Sequence, residues 1–251
     1  MDSVVELRDV YKAFGEKKVL EGVTLDITKG EVFYIIGKSG SGKSVILKHI
    51  TRLMEPDAGE IFLFGKALSE QDENSMNDIR LKMGVLFQMS ALFDSMTVFD
   101  NVAFSLRRFT DKTPEEIEEL VYEKLKLVGL SGIEQAKPAD LSGGMQKRVG
   151  LARAIALGPQ VVLYDEPTTG VDPILASAVD DLILSLNKEL GVTSIVISHD
   201  MTSVFRTADR IAMLYEGNFL KVGSPDDFKE SSDPVIRQFL AGSANGPMAI
   251  L

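Results

Sequence analysis

The sequence contains no cysteine. Disulfides, zinc–thiolate sites and cysteine nucleophiles are therefore excluded. No apolar run approaches the ~20 residues that a membrane-spanning helix requires. Met1 to Asp9 carries three acids and no apolar stretch of the kind a signal peptide needs. A soluble, cytoplasmic chain is the expectation, with any membrane role exerted through a separate partner. Basic residues are outnumbered, 27 Lys and Arg against 37 Asp and Glu, for a formal net charge of −10. That balance opposes a bare nucleic-acid-binding surface, so no nucleic acid is expected as a partner. There is no internal repeat and no heptad run. What is present is a chain of 251 residues, 45% hydrophobic, enough for one large domain or a core with a modest insert.

Gly37-Lys38-Ser39-Gly40-Ser41-Gly42-Lys43-Ser44 fits the pattern G-x-x-x-x-G-K-[ST]. It follows the apolar run Val32–Ile36 and precedes Val45–Ile50, so strand, glycine loop and helix stand in the order a phosphate-cradling P-loop needs. Glycines at 37, 40 and 42 let backbone N–H groups turn inward onto phosphate oxygens, and the following helix adds its positive end. Lys43 supplies a charge to the β- and γ-phosphates, and the Ser44 hydroxyl ligates Mg²⁺. A nucleoside triphosphate with Mg²⁺ is the expected ligand.

The segments around this loop alternate. Short β segments over 3–36, a strand at Glu60–Gly65, a helix beginning within 69–82 and a strand Val85-Leu86-Phe87-Gln88 ending at the glutamine are predicted. From about 97 to 157 the period becomes helical. Phe99, Val102, Ala103 and Leu106 share a face, and Thr113-Pro114-Glu115-Glu116 opens a helix carrying Ile117, Leu120, Val121, Lys124, Leu125 and Val128. Strands Val161–Asp165 and Ser194–His199 flank a helix over 174–190. A hairpin turns at Glu216-Gly217. This alternation predicts a mainly parallel sheet covered on both faces, with an antiparallel N-terminal part and a helical middle.

Val161-Val162-Leu163-Tyr164-Asp165-Glu166 delivers two carboxylates from an apolar strand. In a P-loop fold Asp165 would hold Mg²⁺, directly or through water, and Glu166 would act as general base or polarise the attacking water. The alternative is a strand ending at a solvated acidic turn. Leu141-Ser142-Gly143-Gly144-Met145-Gln146 is the second motif, and with it the chain resembles the ATP-binding-cassette (ABC) ATPase family over nearly all of residues 3–230. The match to the family signature L-S-G-G-Q holds at Leu141 to Gly144. Met145 replaces the usual glutamine, with Gln146 one position later, and a helix is predicted over Gln146–Leu157. Ser142, Gly143 and Gly144 would then meet a γ-phosphate, although an ordinary Ser-capped helix is the simpler reading of the motif taken alone.

The resemblance implies the remaining roles. Gln88 looks like the residue that senses Mg²⁺ and the attacking water, His199 like the switch histidine near the γ-phosphate, and Asp172, in Gly170-Val171-Asp172-Pro173, like the residue coupling two sites. Phe14 is the candidate for stacking on adenine, with Tyr11 as competitor. The implied fold is an α/β P-loop NTPase with a RecA-like parallel-sheet core, an N-terminal antiparallel β subdomain and a helical subdomain. Residues 1–240 would form a single ABC ATPase domain, with the core and antiparallel part at about 1–87 and 159–240 and the helical subdomain at about 88–158. Residues 241–251 would form a tail, either docking on a partner ATPase or disordered. The implied assembly is a homodimer closing around two ATP, each held between Lys43 of one chain and Ser142 of the other.

Integral membrane permease subunits would anchor that dimer to the cytoplasmic face of the inner membrane. Phe93, Met96, Phe99 and Phe104 would either line the groove for a permease helix or pack the helical subdomain. The wording of Ala91–Phe104, together with Ser-Gly-Gly-Met, is similar to the ATPases of MCE- and Mla-type phospholipid transporters. That adds an MCE-domain substrate-binding protein to the expected partners. ATPases of polar amino-acid importers and of the cell-division ABC complex are the alternatives.

Overall fold

The computed structural model describes residues 3–88 and 90–248. In chain order these form β1 (Ser3–Phe14), β2 (Lys17–Thr28), β3 (Val32–Ile36), α1 (Lys43–Ile50), β4 (Ala58–Leu63), β5 (Lys66–Ala67), α2 (Glu73–Arg80), β6 (Met83–Leu86), α3 (Val98–Phe109), α4 (Pro114–Leu127), α5 (Gly143–Ala154), β7 (Val161–Asp165), α6 (Pro173–Leu190), β8 (Thr193–Ile197), α7 (Met201–Thr207), β9 (Arg210–Tyr215), β10 (Asn218–Gly223), α8 (Pro225–Lys229) and α9 (Pro234–Ala241). They divide into two compact units, Met1–Met76 with Ile195–Leu251, and Asn77–Ser194.

In the first unit, β1 and β2 form one long antiparallel hairpin rather than several short strands. Each runs for 12 residues. Bulges, including one between Leu7 and Val10, keep the apolar positions on one face. Val5, Leu7 and Val10 of β1 and Val23, Leu25 and Ile27 of β2 are buried. Strand β4 pairs with the other edge of β1, giving the order β2-β1-β4-β5. All five residues of β3 are buried, the unbroken apolar run of a strand covered on both faces. Burying each such side chain contributes ~1.5–3 kcal/mol. β10, β9, β3 and β8 stand side by side in that order, with β3 parallel to β9. The β9–β10 hairpin turns at Glu216 and Gly217, both at positive φ, as a tight primed turn requires.

The second unit is built on β6 beside parallel β7, with β7 beside the start of β8. Helix α5 lies directly on β6. A Cβ on Gly84 would stand 2.4 Å from the Ala154 carbonyl oxygen, and one on Gly150 would stand 3.0 Å from Leu86. The helix starts follow capping chemistry. Thr97 accepts from the Asp100 N–H at 3.1 Å. Thr113 and Glu116 form a reciprocal capping box behind Pro114. On α4, Ile117, Val121, Lys124, Leu125 and Val128 are buried as the spacing predicts, and Leu120 is half-buried.

Some predicted boundaries move. β6 ends at Leu86, its last residue paired with β7, so Phe87 and Gln88 lie beyond it in a turn that Ser90 closes onto the Phe87 carbonyl. β8 ends at Ile197, leaving Ser198 and His199 outside. Helix α5 begins at Gly143 rather than Gln146, because Ser142 caps it. The segment after α9 turns back: the Gln238 side chain donates to the carbonyls of Ser243 and Met248, both at 3.2 Å, and accepts from the Met248 N–H at 2.7 Å. Ala249–Leu251, on which part of the tail expectation rests, lie outside the described residues, as does Met89.

Gln238→Ala is expected to cost the 243–248 segment about 1–2 kcal/mol, the net value of one or two hydrogen bonds. The readout is a roughly ten-fold faster amide exchange at Met248; exchange identical to the unmodified chain would mean that Gln238 does not hold the segment.

Candidate functional site

In the first unit, β3 feeds the glycine loop and the loop feeds α1. Gly37 has φ 151°, and a Cβ there would stand 2.4 Å from the Leu214 carbonyl oxygen of β9. Only glycine fits that approach. Gly42, at φ 107°, is the N-cap of α1 and offers no side chain to the first-turn N–H groups, so they can serve an anion instead. Lys43 is buried and folds back along the loop, donating to the carbonyls of Gly37 at 2.8 Å and Lys38 at 3.0 Å. The Ser41 hydroxyl is buried and has no protein partner. A polar atom orphaned inside an N–H-rich loop fits a phosphate oxygen.

A pocket of about 300 Å³ opens on this loop, lined by Gly40, Gly42, Lys43, Ser44, Lys17 and Phe14. Phe14 is 46% exposed, a ring face available to a base. Tyr11 is equally exposed but does not line the pocket; its hydroxyl lies against Gly22. His199 is exposed just past β8. The neighbouring Ser198 N–H bonds the Ile35 carbonyl at 3.4 Å, which brings His199 to the end of β3 from which the glycine loop departs. Asp200 then caps α7 through Thr202.

In the second unit, Asp165 closes β7 and Glu166 follows it, both half-buried. Gln88 is exposed two residues beyond β6. Because Leu86 pairs with Tyr164 in parallel strands, Gln88 and the two carboxylates leave the sheet at the same carboxyl end, where open α/β sheets bind ligands. Glu166 has φ 52°, a left-handed conformation costing ~1–3 kcal/mol for a non-glycine residue. Its Oε2 accepts from Thr169 Oγ1 at 3.2 Å.

The signature segment stands at the start of α5. Ser142 and Gly143 are exposed, and Ser142 Oγ accepts from the Met145 N–H at 3.3 Å. The serine thus caps its helix and presents its hydroxyl at an exposed helix N-terminus. Gly144 is buried, and a Cβ there would stand 3.0 Å from Leu175 of α6. Gln146 donates to the carbonyls of Pro138 at 2.9 Å and Leu141 at 3.3 Å, bracing the loop one position after Met145. Asp172 caps α6, accepting from the N–H groups of Ile174 and Leu175.

Phe93 and Phe104 pack with ring centroids 5.0 Å apart and remain over 40% exposed. Met96, Phe104 and Arg107 line a surface groove of about 450 Å³. Phe99 turns instead onto Tyr122, ring edge to face at 6.5 Å. Two residues that sequence reasoning missed hold the loop leading into this groove. Asn101, fully buried, donates to the carbonyls of Phe93 and Thr97 and accepts from the Phe93 N–H. Arg153 donates to the carbonyls of Ser90 and Ala91. The signal for Asn101 was available: it stands between Val98 and Val102 on the buried face of α3.

Among the described residues no cluster of three or more His, Cys, Asp or Glu could hold a metal ion by itself. The Ser44 hydroxyl in the first unit and the Asp165 carboxylate in the second are each a hard oxygen donor of the kind Mg²⁺ takes.

The family model described as ABC transporter matches residues 20–169. The chain is 41% identical over 250 residues to the probable ribonucleotide transport ATP-binding protein Mkl of Mycobacterium leprae, covering 100% of this chain and 72% of the relative. It is 39% identical over 246 residues to the intermembrane phospholipid transport system ATP-binding protein MlaF of Escherichia coli K12, covering 98% and 91%. Among solved structures, the dimeric post-hydrolysis ATP-binding cassette MJ0796 bound to ADP and Pi superposes with TM-score 0.81 at 33% identity, covering 88% of this chain and 98% of that one.

Phe14→Ala is expected to weaken ADP binding by about 1–3 kcal/mol, the range for a base stacked on an aromatic ring, and Tyr11→Ala to leave it nearly unchanged. Titration calorimetry reads both; an effect confined to Tyr11 would move the adenine contact there.

Proposed function

This chain belongs to the ABC transporter family, and from that premise we propose that it is the ATPase subunit of a lipid transporter, hydrolysing ATP in a homodimer to drive phospholipid movement through separate membrane subunits. The observation that carries the dimer reading is the exposed Ser142–Gly143 turn at the N-terminus of α5. A helix start with outward N–H groups is an anion site open to a second molecule. The likeness to a dimeric cassette holding ADP and Pi supports the same reading.

In this account residues 1–240 act as one ABC ATPase domain, with 88–158 as its helical part. Gly37 to Ser44 cradle the phosphates of one ATP, with the Lys43 ammonium leaving its loop carbonyls for the β- and γ-oxygens. Phe14 stacks on the adenine. Ser142, Gly143 and Gly144 of the other subunit close on the γ-phosphate. Glu166 accepts the proton of the attacking water or polarises it, His199 contacts the γ-phosphate side, and Asp172 links the two sites. Ser44 and Asp165 would hold Mg²⁺, with Gln88 beside them, and the ion would supply charge neutralisation at the phosphates. Loss of the γ-phosphate removes a link between subunits and permits opening.

Among the described residues no helix is long and apolar enough to cross a membrane, so coupling to transport is assigned to permease subunits at the inner membrane. The groove at Met96, Phe104 and Arg107 supports a docking site for one of their helices. The phospholipid reading is supported by the 39% identity to MlaF across 91% of that protein; an MCE-domain protein is the substrate-binding partner it calls for. The relative named for ribonucleotide transport is the competing cargo.

Affinity purification of the tagged full chain from native membranes is expected to recover a permease and an MCE-domain protein, and their reconstitution to move labelled phospholipid between vesicles on ATP addition. Recovery with a periplasmic amino-acid-binding protein, or ATP-driven movement of ribonucleotides instead of lipid, would overturn the cargo assignment.

A further inference from the structure

Lys147 stands on α5 one turn beyond Gly144 and is buried. Its Nζ donates to the Pro167 carbonyl at 2.7 Å and the Thr169 carbonyl at 2.6 Å. These two carbonyls belong to the turn that follows Glu166. Inside that turn Thr169 returns two hydrogen bonds to Glu166, from its N–H to the Glu166 carbonyl at 3.2 Å and from its hydroxyl to Oε2 at 3.2 Å. A second contact holds the same stretch to the same helix, because Leu175 packs on Gly144, where a Cβ would stand 3.0 Å from its side chain. The segment from Glu166 to Leu175 is thereby fastened to the first turns of α5 at both of its ends.

A buried ammonium is costly unless its donors are met. Burial pulls Lys147 below the ordinary lysine value, and the Glu166 carboxylate pulls it back up. A shorter apolar side chain would fill the same space without that cost but would leave two carbonyls without a donor. The left-handed backbone of Glu166 also needs its surroundings to impose it.

We infer that Lys147 is a positioning residue for Glu166, and that it joins the helix that reads one bound nucleotide to the loop that attacks the other. The inference rests on the proposed function, in which Ser142 to Gly144 meet the partner's ATP while Glu166 serves the ATP on its own P-loop. Lys147 then places both elements of one subunit on a single rigid piece. When α5 seats against the γ-phosphate of one ATP, Lys147 sets the carboxylate at the other, so hydrolysis waits for both sites to fill.

The test is steady-state ATP hydrolysis by the full chain. Lys147→Met keeps the aliphatic stem and removes the donors; Lys147→Arg keeps donors in a longer side chain. The expected result for Lys147→Met is a fall in kcat on the order of 10²-fold, the loss typical of a misplaced catalytic group. KM for ATP should stay within about two-fold, since nucleotide binding does not use Lys147, and Lys147→Arg should recover most of the loss. If Lys147→Met does not fold, Lys147→Gln, which retains an amide donor, reads the same split between kcat and KM. Unchanged kcat in the folded variant overturns the inference, as does a joint fall in kcat, ATP affinity and melting temperature that arginine does not rescue, which marks a staple of the fold. An unmodified chain that hydrolyses no ATP would sink the proposed function itself; an active one with an indifferent Lys147 sinks only this step.

Discussion

Backbone N–H groups have to reach phosphate oxygens with nothing in between, and the first unit is shaped by that requirement. A Cβ on Gly37 would stand 2.4 Å from the Leu214 carbonyl oxygen, so the loop can leave β3 along β9 only because that carbon is missing. The tight exit aims the loop at the start of α1, where Gly42 leaves the first-turn N–H groups without a side-chain cap. Lys43 meanwhile bonds to its own loop carbonyls, holding the charge in place until a better acceptor arrives. Strand β3 is buried along its whole length, and the hydroxyl of its one polar side chain, Tyr34, is met by Thr207 Oγ1 at 2.7 Å.

The second unit meets a different demand, the delivery of carboxylates and a helix N-terminus from one scaffold. Glycines at 84 and 150 bring α5 against β6, and Gly144 brings its first turn against α6. Polar groups finish what the close packing begins: Gln146 braces the signature loop, Lys147 the turn after Glu166, and Asp172 the start of α6. Gln146 and Lys147 are half-buried and buried donors tied to backbone carbonyls, while Asp172 is an exposed acceptor of backbone N–H groups. They fix loops that apolar contacts alone would leave free to slide.

The chemistry of the chain was more legible in its sequence than its geometry. Gly37–Ser44, Leu141–Gly144 and Val161–Glu166 each place their essential groups within eight or fewer consecutive residues, so local spacing reveals them. The helix start at Thr113 was equally plain, because capping is local chemistry. Strand lengths were not. β1 and β2 continue through bulges whose register depends on a partner strand, and β6 stops before Gln88 because pairing with β7 stops. Lys147 and Arg153 stayed hidden because each bonds main chain far along the sequence, where the partner carbonyl has no sequence identity to read. Met145 departs from the family signature, and Gln146, one position later, donates to the carbonyls of Pro138 and Leu141.

In the proposed function the P-loop of one chain and the signature helix of a second copy complete one site, and that is the central claim. Glu166→Gln should leave every contact to ATP in place while stopping the step that releases it. Gel filtration of this variant with ATP and Mg²⁺ is therefore expected to show a dimer that reverts to monomer with ADP. A profile that remains monomeric with ATP at saturating Mg²⁺ would contradict the account.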